Sequence, residues 1–355
     1  MEREKKHRLF LIDLMRIVCA FLIYARHSIT MYGCTYGHHA LDVIFTLSTS
    51  PVMTCFFVLS GFSIHYQHRN EELTGNWVKT FLLKRMITIM PCYLLVVLIW
   101  PLVYPAQAGN WLALLPVDLF GVQTAYRSLF GILHNGGTWF VSCSLMAYVL
   151  YPVMKAVLNQ DRKRRVCVAL VILHFLLIYS NYIIPRFSLD GLYSNPLARS
   201  AEFMTGAAFS EIVFTDRKAV SDKSGHGGVL PAAVVIVCLT VISLLIAKLN
   251  GAGVRDTVQG YLILPAVLLC LLASAFLRFP LLERSKILAL LSGMSYPFFL
   301  TQCFLWDLTS RVLGLLGLGG NTAKLGVSFI TCFVISFVVF RFYDKPVRKF
   351  LLKKI

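Results

Sequence analysis

The sequence predicts an all-α fold: a polytopic membrane helical bundle of about ten transmembrane helices, with both termini in the cytoplasm. Three observations lead there. Of the 355 residues, 57% are hydrophobic and 14% charged, where an average globular chain carries roughly 25% charged residues. Mean hydropathy is +0.70. So few charges could not coat a soluble surface, so most of the chain must face lipid. The Lys and Arg residues also gather between alternate apolar runs. Secreted scaffolds, disordered regulators and ordinary cytosolic enzymes are thereby excluded.

Apolar runs broken by charges or by Gly and Pro place helices near residues 9–31, 43–64, 85–104, 138–158, 166–184, 199–214, 230–248, 258–277, 287–308 and 324–342. A further segment, 105–135, is too broken to span and reads as an interfacial or re-entrant loop. The first run is not a cleaved leader, because Asp13, Arg16 and Arg26 interrupt it and no small-x-small site follows. With the amino end inside, the inner segments hold 24 of the 34 Lys and Arg residues. The net charge of +17 is therefore topological, with some attraction to anionic membrane lipid, and nucleic acid is not an expected partner. One integral-membrane domain is expected over 1–355, with no soluble extension.

The ten cysteines stand singly, with no C-x-x-C pair, so neither a disulfide framework nor a zinc site is expected. His38-His39 with Asp42, and His65 with His68, each fall short of a ligand set, and no metal is expected.

The ionisable residues at membrane depth carry the most information. An Arg or Asp at a helix centre costs on the order of 2.5–3.5 kcal/mol, so such residues usually face a polar cavity or a partner. In the first helix, His27 lies eleven positions after Arg16. At 100° per residue they share one face, about 16 Å apart along the axis. Asp13, three residues before Arg16, can pair with it. The stripe is either an anchoring ion pair with an idle interfacial histidine, or a cation and an imidazole facing one passage.

The run from Leu11 through Asp13 and Arg16 to His27 resembles the opening Arg-x10-His motif of the acyltransferase-3 family of membrane O-acyltransferases. The resemblance continues in order along the chain. Phe56-Phe57-Val58-Leu59-Ser60-Gly61-Phe62-Ser63-Ile64 is similar to the family's FFxxSGFxI segment. Phe81, Lys84, Arg85, Ile89, Pro91 and Tyr93 resemble the basic entry to its third helix, and Trp139-Phe140 with Tyr148 and Tyr151-Pro152 its fourth. Arg199-x-x-Glu202-Phe203-x-x-Gly206 resembles the sixth, while Ser295-Tyr296 and the run from Arg341 to Arg348 resemble the last two.

The resemblance implies transfer of an acetyl or other short acyl group from a cytoplasmic acyl-coenzyme A, such as acetyl-CoA, to a hydroxyl of an extracytoplasmic saccharide or envelope molecule. It implies a multi-pass protein of the bacterial plasma membrane. His27 would be the essential base or acyl relay, with Arg16 and Asp13 beside it. Lys84 and Arg85 would meet the donor's phosphates or simply anchor the inner end, and Ser60-Gly61 would let helices approach along the acyl path. Trp139, Arg199, Glu202, Tyr296 and Gln302 are the candidates on the acceptor. Trp139 could equally be an interfacial belt residue, and Arg199–Glu202 a structural salt bridge. The sequence departs from the family at Thr88, where many relatives have a second basic residue. It departs again at Ser144 and Leu145, where one branch has carboxylates, and at Gln302, where a histidine is common. Two other classes stay open: a transporter or flippase of a glycosidic or acylated lipid, and a membrane sensor without turnover. The acceptor, the acyl length and the oligomeric state are not encoded legibly.

Overall fold

The computed structural model describes residues 8–122, 124, 137–178, 186, 193–214, 229–254, 257–277 and 279–355, and every regular element among them is helical. In chain order these are α1 (Phe10–Thr30), α2 (His39–Leu47), α3 (Thr49–His68), α4 (Gly75–Val103), α5 (Ala108–Phe120), α6 (Trp139–Leu158) and α7 (Arg162–Ile178). They continue as α8 (Pro196–Phe214), α9 (Val229–Leu249), α10 (Ile263–Phe276), α11 (Pro280–Glu283), α12 (Lys286–Leu315), α13 (Asn321–Val338) and α14 (Lys345–Leu352). A 3-10 turn (Pro105–Gln107) precedes α5, and π-helical turns (Thr257–Tyr261, Val339–Asp344) precede α10 and α14.

Five helical stretches among the described residues are long and apolar enough to cross a membrane: α4, α6, α9, α12 and the continuous run from α13 through α14. A sixth appears if α2 and α3, bent by 49° at their junction, count as one span. The sequence reading of 43–64 as one helix misses that bend. The expected span at 258–277 is a π turn followed by 14 helical residues, about 21 Å at 1.5 Å per residue and short of a bilayer core. The segment around 105–135 is helical over 108–120, and residues 125–136 lie outside those described. Two helices begin or end well beyond their predicted limits. Thr74 caps α4 by accepting the Trp77 amide at 3.1 Å, so the helix begins at Gly75, ten residues before the predicted start. Ser285 caps α12 in the same way from the Leu288 amide at 3.2 Å.

α8 fails an apolar-length test for a physical reason. Every residue from 198 to 214 except Glu211 is buried, so protein, not lipid, surrounds it and polar side chains are tolerated. It packs most extensively on α3, with α6 and α7 on its flanks, while α1 packs on α12 and α12 on α13. By contrast α9 turns Leu230, Val234, Val237, Val241 and Leu245 outward, an apolar face suited to lipid.

The α3–α8 contact depends on two glycines. A Cβ at Gly61 would stand 1.8 Å from the Phe203 carbonyl oxygen, and one at Gly206 would stand 2.0 Å from that of Val58. The two backbones therefore touch reciprocally, as small residues permit in membrane helices. Gly61→Ala or Gly206→Ala is expected to separate the helices and cost at least about 2 kcal/mol. Thermal unfolding of the purified chain in detergent measures this, and an unchanged midpoint would contradict it.

Candidate functional site

The end of the bundle that carries Arg8, Arg69, Lys155, Arg165 and Arg348 is the basic end. α1 rises from it toward the far end. Asp13, one turn into α1, accepts hydrogen bonds from Arg8 Nε at 2.6 Å and from Ser292 Oγ of α12 at 2.6 Å. Its other close cation is Arg16, with Nη1 at 3.8 Å. Arg16 Nη2 in turn donates to Ser63 Oγ of α3 at 3.1 Å. The expected Asp13–Arg16 pair is present, and it ties α1 to both neighbours.

Arg16 does not stand alone. Arg85 of α4 is near it, and Arg16, Arg85 and Arg348 all lie within electrostatic reach of the Tyr148 hydroxyl on α6. Tyr296 of α12 adjoins Tyr148 and Arg348 and donates to the Ile89 carbonyl at 3.1 Å. Arg348 is held by Asp344, Nε to Oδ1 at 2.9 Å. Arg85 lies over the Phe81 ring at 5.5 Å, and its buried Nε has no hydrogen-bond partner among the described residues. Arg16, Ser60, Arg85, Tyr148 and Tyr296 come from five helices, are ringed by protein, and yet are only half-buried. Arg16, Arg85 and Arg348 thus set three guanidinium groups around the Tyr148 hydroxyl, an arrangement that draws anions. Lys84 is exposed on the outer side of α4 and is not part of this group. Tyr296, expected on the acceptor, stands within electrostatic reach of Arg348 and Tyr148.

At the far end of the same α1 face, half-buried His27 meets α12. Cys303 Sγ is 3.9 Å from His27 Nδ1. Gln302, wholly buried, also reaches the imidazole, and its Nε2 donates to the Phe299 carbonyl at 3.1 Å. Around them Tyr32 donates to the Cys303 carbonyl at 2.8 Å and stacks on Trp306 at 4.8 Å. Tyr104, just past the end of α4, donates to the Asp307 carboxylate. Tyr32, Tyr104, Cys303 and Asp307 carry no local sequence signal that marks them, since their partners lie far along the chain.

Arg199 and Glu202 form the expected pair, Nη1 to Oε2 at 2.6 Å. Thr54 Oγ1 of α3 donates to Glu202 Oε1 at 2.8 Å, and Arg199 Nε donates to the Tyr193 carbonyl at 3.0 Å. Phe57, Trp139 and Tyr193 enclose the guanidinium, with centroids at 5.7, 6.0 and 6.0 Å. Trp139 is 1% exposed, so its ring is not open to a sugar in this conformation. Gly61, as described, seats α8 on α3.

Of the departures, Thr88 Oγ1 donates to the Lys84 carbonyl at 2.7 Å, Ser144 is buried, and Leu145 is half-buried. Near the basic end, His65 bridges Tyr151 and Glu211, at 3.0 and 2.8 Å. Lys155, wholly buried, donates to the carbonyls of His68 and Arg69 at 2.9 and 3.2 Å, where it caps the end of α3. Among the described residues no cluster of three or more His, Cys, Asp or Glu side chains is arranged to hold a metal ion.

The family described as "Acyltransferase domain", the acyltransferase-3 family, matches residues 10–341. No curated protein and no solved structure matches the chain.

Arg199→Met is expected to cost about 3–5 kcal/mol, because it leaves the Glu202 carboxylate buried with Thr54 as its remaining partner. Removing both charges in Arg199→Met/Glu202→Met should recover most of that loss. Unfolding midpoints of the two variants decide it; a double variant no more stable than the single one would contradict the pairing.

Proposed function

The chain belongs to the acyltransferase-3 family, and from that premise we propose that it is a membrane O-acyltransferase. It moves an acetyl or short acyl group from cytoplasmic acyl-CoA to a hydroxyl of an extracytoplasmic glycan or envelope molecule. On this reading the bundle makes ten crossings, with the basic end and both termini in the cytoplasm. The observation that carries the reading is the single face of α1, which presents Arg16 to a cationic cluster at one end and His27 to Gln302 and Cys303 of α12 at the other.

The residues fit the donor's chemistry. Arg85, with its unpartnered buried Nε, and Arg16 and Arg348 near the same Tyr148 hydroxyl suit the phosphates of coenzyme A. At the far end His27 takes the proton of the acceptor hydroxyl as its oxygen bonds to the thioester carbonyl carbon. The carbon–sulfur bond then breaks, and the departing thiolate receives the proton from His27. A transient acyl group on the imidazole would give the same products in two steps. Gln302 and Cys303 pack against the ring and hold its orientation. Asp307 and Tyr104 offer hydrogen bonds to an acceptor rich in hydroxyls.

His27→Ala should lower transfer from labelled acetyl-CoA by about 10²–10⁴-fold, the usual loss of a general base. Arg85→Ala should raise KM for the donor roughly 10–100-fold, with kcat less affected, as expected for a lost charge-assisted contact. Assays of purified protein with envelope glycan as acceptor read both. Full transfer by His27→Ala would remove this residue from the chemistry, and movement of a lipid without acyl consumption would favour a flippase.

A further inference from the structure

A layer of aromatic side chains lies between the cationic cluster and His27. Phe56 of α3, Phe140 of α6 and Phe299 of α12 meet there. Their ring centroids are 6.1 Å apart for Phe56–Phe140, 5.4 Å for Phe140–Phe299 and 6.5 Å for Phe56–Phe299. Each ring touches the other two, so the three close a triangle. Phe57 backs Phe140 at 5.0 Å.

Helix register places the triangle at one depth. Phe56 is seven residues from Ser63, the partner of Arg16, and Phe299 is seven residues from Ser292, the partner of Asp13. Each ring therefore stands about 10 Å beyond the cationic cluster at 1.5 Å per residue. Phe140 lies eight residues, about 12 Å, beyond Tyr148. Phe299 is one turn short of Gln302 and Cys303, the neighbours of His27. Phe56 and Phe140 are only half-buried although they sit in the interior. Helical spacing puts Phe56 on the face of Ser60 and Phe140 on that of Tyr148, four and eight residues away.

We propose that Phe56, Phe140 and Phe299 form an aromatic gate that seals the passage at rest and, when the rings part, admits a thin thioester arm bearing a short acyl group, so that these three residues set acyl-chain length. The proposal rests on the acyl-CoA reading given above. Its physical basis is twofold. Ring faces and edges in contact exclude water and ions, and Phe side chains turn about two torsions without losing a hydrogen bond. A widened triangle then accommodates extra methylenes, and a narrowed one rejects them.

The test uses the full chain reconstituted in proteoliposomes. Proton flux under an imposed pH gradient is followed by an internal dye, and transfer is measured with acetyl-, butyryl- and hexanoyl-CoA. Phe140→Ala and Phe56→Ala should leak protons above the wild-type level and shift the hexanoyl-to-acetyl ratio of kcat/KM upward roughly tenfold or more. Phe140→Trp should stay sealed and shift that ratio downward. If an alanine variant fails to fold, as judged by thermal unfolding, Phe140→Leu and Phe140→Trp carry the comparison. Folded variants whose ratio stays at the wild-type value would overturn the gate. A wild-type protein inactive with all three donors would overturn the donor reading instead, and the proton flux alone would then decide the gate.

Discussion

A carboxylate and a guanidinium cannot sit in hydrocarbon without partners, and the contact that satisfies them here is centred on Asp13. Its two oxygens receive Arg8 and Ser292, with Arg16 close by. Arg16 then has a nitrogen left for Ser63. Through this one carboxylate, α1 is fixed against α12 and α3 at the same time. Everything above it on α1 inherits that rotation: with the helix face set at Asp13 and Arg16, His27 must meet α12 at Gln302 and Cys303.

The bundle divides into a rigid part and a lined part. α3 and α8 run side by side with their backbones in contact at Gly61 and Gly206, and with Arg199, Glu202 and Thr54 locked between them. A charge pair so enclosed specifies one alignment of the helices more than it adds stability. On another face of α3, Ser63 receives Arg16 of α1, and Phe56 meets Phe140 of α6 and Phe299 of α12. One helix thus serves as a structural seam on one side and joins three other helices on the other.

Much of this was legible in the sequence, for identifiable reasons. Helical periodicity over eleven residues places Arg16 and His27 on one face, and three-residue spacing foretells both Asp13–Arg16 and Arg199–Glu202. The small residue at Gly61 foretells close helix approach. Long-range partners leave no such local trace. His65 finds Glu211 across 146 positions, and Asp13 finds Ser292 across 279. Tyr296 was read toward the acceptor, yet a helix rising from Lys286 carries it only ten residues from the basic end, to the level of the arginines. Trp139 follows a glycine-rich link and looks interfacial, but Arg199 draws it into the interior. The bend between α2 and α3 is also silent in a hydropathy profile, because both halves are apolar enough to read as one span.

The central claim is that the arginine cluster and His27 serve the two ends of one donor molecule. The most direct measurement is an experimental structure with a non-hydrolysable acyl-CoA analogue bound. The account predicts the phosphates among Arg16, Arg85 and Arg348, the pantetheine arm between Phe56, Phe140 and Phe299, and the acyl carbon within about 4 Å of the His27 ring. Phosphates bound elsewhere, or an arm that leaves His27 on the far side of intact, closed rings, would contradict it.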